Sequence, residues 1–144
     1  MVKSAVLIFT LLICFASQSC QSYSTGLQQS LARADETAAT GTLHTIATAQ
    51  QTYALTNGDN YGTFQQLCEG GYLDTRFNSD KPAIKDYVLS MEVGRDSDGP
   101  FFRLKADPAD NGTKPGRHFY IDQSRMVRVN ATQPASASDP VAQP

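Results

Sequence analysis

Two acidic stretches hold the residues of this 144-residue chain best spaced for metal chemistry: Asp96-Ser97-Asp98-Gly99 and Asp107-Pro108-Ala109-Asp110-Asn111-Gly112. Carboxylates and carbonyls crowded on turns suit a hard cation, so Asp96, Asp98, Asp107 and Asp110 are candidate calcium ligands, and calcium is the one cofactor the sequence suggests. Neither stretch completes an EF-hand pattern, and Asp, Asn and Gly are also what tight turns require. The chain has two histidines, His44 and His118. Neither stands near a cysteine or serine in a nucleophile motif, and no GxSxG, HExxH or phosphate-cradling loop occurs. The expectation is a protein without a catalytic site.

Cysteine chemistry depends on the N-terminus. Lys3 supplies a positive start, Ala5 to Ala16 is apolar, and small residues Ser17 and Ser19 precede Cys20. That apolar core is shorter than the roughly 20 residues a membrane-spanning helix needs, so residues 1–19 read as a secretory signal peptide. Cleavage before Cys20 makes it the new N-terminus, as in a bacterial lipoprotein, and Cys20 is the candidate lipidation site; ordinary cleavage nearby is the alternative. Lipidation leaves Cys68 as a lone thiol, whereas an unmodified Cys20 leaves a Cys20–Cys68 bridge open. The absence of a CxxC pair argues against redox and zinc functions.

At 18% charged and 40% hydrophobic residues the composition is that of one globular domain with a modest core. A net charge of −2 and a pI near 5.5 provide no polycationic surface for nucleic acid.

The elements that must position these residues follow from periodicity. Residues 26–57 contain no proline, and Asn57-Gly58 offers a left-handed stop. Leu43, Ile46, Ala47, Tyr53 and Ala54 recur at helical spacing opposite Thr37, His44, Thr48, Gln51 and Thr52, with Leu55 as an exception on the polar side. The second half of this helix has a face to bury and the first half, with Arg33, Asp35 and Glu36 among alanines, has almost none. A short helix is expected from Thr63 to Glu69. Alternation then predicts strands over Asp86–Val93, Phe101–Ala106, His118–Ile121 and Met126–Val129, the last two joined by a turn at Asp122–Arg125. The expected class is α+β: a long N-terminal helix packed on a sheet of three or four antiparallel strands. The inward set would be Leu89, Met91, Val93, Phe102, Leu104, Phe119, Ile121, Val127 and Val129. Residues 20–30 read as a polar tether and residues 131–144 as a disordered tail.

Gly41-Thr42-Leu43-His44-Thr45-Ile46, followed by Ala49-Gln50 and Tyr53, resembles the GSLRTINTAQ-x-x-Y segment of type IV pilin-like and type II secretion pseudopilin-like (G-type) proteins. Residues 116–124 and 127–130 are similar to that group's closing hairpin, and Ser138-Asp139-Pro140 to its tail; Leu73-Asp74, Tyr87 and Ala106-Asp107-Pro108 also fall in place. The resemblance covers roughly residues 31–143. It implies a pilin-like globular domain over residues 31–130, a non-enzymatic role in an extracytoplasmic assembly, and, as in some pseudopilins, calcium in a loop of the sheet. The N-terminus departs from the pattern. Phe9-Thr10-Leu11-Leu12 echoes the FTLIE motif, but Ile8 replaces the cleavage glycine, Ile13 the glutamate, and polar residues return by Ser17.

The functional expectation is an exported structural or interaction protein of the periplasm or cell surface, lipid-tethered if Cys20 is modified. Its partners would be other pilin-like or secretion-system proteins. The alternative is a periplasmic ligand-binding module using a groove between residues 64–77 and the sheet.

Overall fold

The computed structural model describes residues 18–109 and 116–143, with side chains from Gly26 onward. Helix α1 runs Gln18–Thr56, so the residues expected to form a tether are helical. No helix among the described residues is long and apolar enough to cross a membrane. Residues up to Arg33 and residues from Ala34 form two compact units. In the first, Leu27 and Leu31 are exposed.

Helix α1 ends where the left-handed stop predicts. Gly58 and Asp59 both adopt φ 62°, and the Asp59 amide closes on the Ala54 carbonyl. Helix α2 (Phe64–Glu69) starts at a capping box: Thr63 accepts from the Gln66 amide while the Gln66 side chain accepts from the Thr63 amide. A single 3₁₀ turn, Thr75–Phe77, follows, capped by Asp74.

The sheet has five antiparallel strands, not three or four, in chain order: β1 (Ala83–Ile84), β2 (Tyr87–Asp96), β3 (Gly99–Pro108), β4 (His118–Asp122) and β5 (Arg128–Asn130). The class is α+β, as expected, with the long helix against an antiparallel meander. The added strand, β1, is two residues long and pairs with Tyr87 and Val88, too short to leave an alternation in the sequence. Strands β2 and β3 also run past their expected ends. They pair from Tyr87–Pro108 to Asp96–Gly99, so residues 94–100, whose turn-rich composition reads as a connection between the two strands, are mostly strand around a turn at Ser97-Asp98.

Alternation decides which face is core. Leu43, Ile46, Phe64, Leu67, Leu89, Phe102, Leu104, Phe119 and Ile121 are buried in one cluster, against which Met91, Val93 and Val129 pack at the margin. Burying a large apolar side chain is worth about 1.5–3 kcal/mol, so this cluster is what seats the helix on the sheet. Gln50 is the polar exception inside it, fully buried.

The C-terminal segment differs most from expectation. Residues 131–143, expected to be disordered, return to the sheet: Val141 bridges to Arg128, Ala135 is fully buried, and Ala142 packs against the core. The anchors are hydrogen bonds and small side chains, which a search for large apolar residues passes over.

Candidate interaction surface: the outer face of the sheet and its C-terminal edge

Residues opposite one another in antiparallel strands share a face, and the register therefore assembles three rows on the side of the sheet away from α1. One row carries Glu92, Arg103 and Asp122 on β2, β3 and β4. Arg103 lies 3.4 Å from Glu92 and 3.7 Å from Asp96, and its guanidinium stacks 4.1 Å from the Phe101 ring centre. Phe101 in turn covers Gly94, where a Cβ would come within 3.0 Å of the ring. These charges are substantially exposed, so each pair is worth no more than about 1 kcal/mol; they give the face its pattern more than its stability.

A second row brings Asp107 beside His118, with Nδ1 2.6 Å from Oδ1, and His118 opposite Asn130. The neighbouring Arg117 reaches α1. Its Nε and Nη2 donate to Glu36 Oε2 at 3.1 and 2.8 Å, and its amide donates to Oε1. That bonding raises the Arg117 pKa, the hydrogen bond to Glu36 being the largest cause. Tyr87 donates its hydroxyl to the Arg117 carbonyl at 2.9 Å. Burial, then the Glu36 charge, pushes the Tyr87 phenol far above its ordinary range. Glu36, which sequence reading leaves on a bare stretch of helix, is thus a clamp on the start of β4.

The third row is Ser90, Lys105, Tyr120, Arg128 and Val141. Tyr120 is buried, although it faces away from the main core, and its hydroxyl donates to Asp122. Burial first, then Asp122, pushes its pKa up to about 12. Beside it the returning tail is knotted around Asp139. One carboxylate oxygen accepts from Asn130 Nδ2 at 2.8 Å and the other from the Ser136 amide and hydroxyl, each at 2.8 Å. Bonds from Ser136, then Asn130, hold the Asp139 carboxyl below its usual range. Arg128 donates from Nη1 to the Asp139 carbonyl at 2.7 Å, while its Nε is buried without a hydrogen-bond partner. An orphaned buried donor costs on the order of 1–3 kcal/mol.

The candidate calcium ligands are not brought together. Asp96 and Asp98 share the β2–β3 turn, where Asp96 accepts from the Asp98 amide. Asp107 lies eight residues along β3 from Gly99, the residue that faces Asp96, hence roughly 26 Å away at about 3.3 Å per residue, and it is bonded to His118. Asp110 lies outside the described residues, as do residues 1–17, which hold most of the expected signal peptide, and residues 111–115. No group of three or more His, Cys, Asp or Glu able to hold a metal occurs among the described residues. Cys20 falls in α1 but its side chain is not described; Cys68 is a half-buried free thiol. Burial, then Asp74 and Glu69, pushes that thiol's pKa up.

A groove of about 590 Å³ runs between α1 and the Gly71-Tyr72 segment, lined by His44, Thr45, Thr48, Ala49 and Thr52. Thr45 and Thr48 donate their hydroxyls back to helix carbonyls four residues earlier, as does Thr52. Their methyls are left to line the groove. The groove expected between residues 64–77 and the sheet is filled: Phe64, Leu67, Leu73 and Phe77 are buried in the common core.

Sequence reasoning missed Gln50, Glu36 and the Asp139 knot. Gln50 had a signal, since it lies four residues after Ile46 and seven after Leu43, on the apolar face. Glu36 had none, because Arg117 lies 81 residues away, and Asp139 had only the nearby Ser136, its other partners Asn130 and Arg128 lying nine and eleven residues back on β5. Comparison with known proteins returns no match: no protein family, no curated protein and no solved structure resembles the chain closely enough to register.

Proposed function

We propose that this chain is an exported, non-enzymatic pilin-like protein that works by interaction, at the periplasm or cell surface, with other pilin-like or secretion-system components. The observation that carries the reading is the seat of α1 on the sheet: from Ala39 to Gln50 one face of the helix is buried, with Leu43 and Ile46 in the cluster that holds Leu89, Phe102, Leu104 and Ile121. A long helix seated by its later turns on an antiparallel meander is the arrangement the pilin-like resemblance implies. The short similar segments, from residues 41–53 through 116–130, lie on that helix and on the strands that close the sheet. Lipid on Cys20 would hold such a protein at a membrane surface without spanning it.

Intact-mass analysis of the membrane-extracted protein tests the tether. A diacylglyceryl-type mass on Cys20 supports it, cleavage elsewhere makes the protein soluble, and an uncut N-terminus points to insertion. A mature protein that sediments as a monomer and co-purifies with no pilus or secretion component removes the assembly role. The groove on α1 favours a second reading, a periplasmic ligand-binding module. A thermal upshift with a small ligand or calcium would support it, and a flat response across a broad ligand panel would count against it.

A further inference from the structure

We propose that the outer edge of β5 is a strand-addition site for an extended acidic segment of a partner protein, and that residues 131–143 are the chain's own occupant of it. The edge already holds an extended piece of that tail, paired through one isolated bridge, Arg128 to Val141. The Val129 amide donates to the Pro140 carbonyl at 3.0 Å and the Ala142 amide donates to the Val127 carbonyl at 2.8 Å. These two bonds flank the Arg128–Val141 pair, making it a non-hydrogen-bonded pair, the kind whose side chains approach most closely.

The resident strand fits this edge incompletely. Arg128 has a buried Nε with no acceptor, and the residue facing it is Val141, which has none to offer and is itself 45% exposed. A carboxylate at the Val141 position would meet the guanidinium. The backbone rules are equally plain: the residue before that position supplies only a carbonyl, so proline is tolerated there, and the residue after it must supply an N–H. A partner strand of the form x-Asp/Glu-(not Pro) meets all three demands, in the manner of peptides that extend an existing sheet. A second copy of β5 does not, because antiparallel pairing about Arg128 would set Arg128 against Arg128, and like charges directly opposite are destabilising. Arg128 therefore also discriminates against edge-to-edge pairing of this chain with itself.

The test uses the full-length chain and two fluorescein-labelled peptides of residues 134–143, one as PASASDPVAQ and one carrying Val141→Glu. Ala142→Pro in the protein removes one of the two backbone bonds and loosens the resident strand. Anisotropy titrations should show the Val141→Glu peptide binding the Ala142→Pro protein at least ten-fold tighter than the parent peptide. Both peptides should bind wild type more weakly than they bind the variant, and adding Arg128→Met should erase the difference between them. Equal affinities for the two peptides, or no binding to an Ala142→Pro protein of unchanged circular dichroism, would overturn the proposal. Should that variant fail to fold, Val141→Glu in the full chain decides. Its melting temperature should exceed that of Val141→Gln, and an equal or lower value rejects the site.

Discussion

Gln50 is held at both ends of its amide by the backbone of one residue: Nε2 donates to the Gly62 carbonyl at 2.6 Å and Oε1 accepts from the Gly62 amide at 2.9 Å. The carboxamide therefore stands in for a strand partner at the first bend after α1, inside the core. Gln50→Leu should keep the volume and orphan two buried groups. At about 1–3 kcal/mol each, stability should fall by about 2–6 kcal/mol, read as a lower urea midpoint at unchanged slope. A midpoint within error of wild type would mean that the bend relaxes and rehydrates. Asp139 makes a different residue-scale prediction. Its folded pKa lies below the ordinary 3.8, so its contribution is complete above that value and is lost as pH falls through the lower, folded one. Hydrogen exchange at the Val129 amide, which the tail covers, should quicken relative to the other sheet amides as pH drops below about 4. In Asp139→Asn that acid-specific acceleration should vanish, and its persistence would assign the opening to another group.

Between elements, the contact that most repays a test is Glu36 with Arg117. It joins α1 to the start of β4 through three hydrogen bonds, with the Glu36 side chain only 13% exposed and Arg117 48%. A double-mutant cycle with Glu36→Gln and Arg117→Met should return a coupling of about 1 kcal/mol, above the usual yield of a fully exposed pair and below that of a buried one. Zero coupling would show that the clamp adds nothing to the fold. The same contact marks where sequence reading runs out. Every large apolar residue assigned to the inward face lies in the core or at its margin, because alternation and helical spacing are local rules that burial enforces. Glu36–Arg117 joins residues 81 positions apart, and no local pattern encodes that pairing. The tail shows the same limit from the other side: Ala135 is buried and Asp139 is knotted although the segment has almost no large apolar side chain, so composition alone reads it as unstructured. The acidic stretch Asp96–Gly99 was legible as a turn, whereas Asp107 sits in β3 beside His118 at the far end of the same hairpin, a placement that no local pattern announces.

For the whole molecule, the sheet order β1-β2-β3-β4-β5 has a consequence in time. Each strand pairs with the one synthesised just before it, so no pairing must wait for a distant segment, and the long β2–β3 hairpin can form first and template its neighbours outward. Loop-closure costs stay small at every step. The one late arrival is the C-terminal strand, which can dock only when β5 is already in place. Refolding from urea, followed by pulse-labelled hydrogen exchange, should protect the β2–β3 amides first and the Val129 amide last. The reverse order would mean that the chain's end helps to start the fold. A chain that builds its sheet in the order it is made leaves open, until the last step, the one edge that its own tail must close.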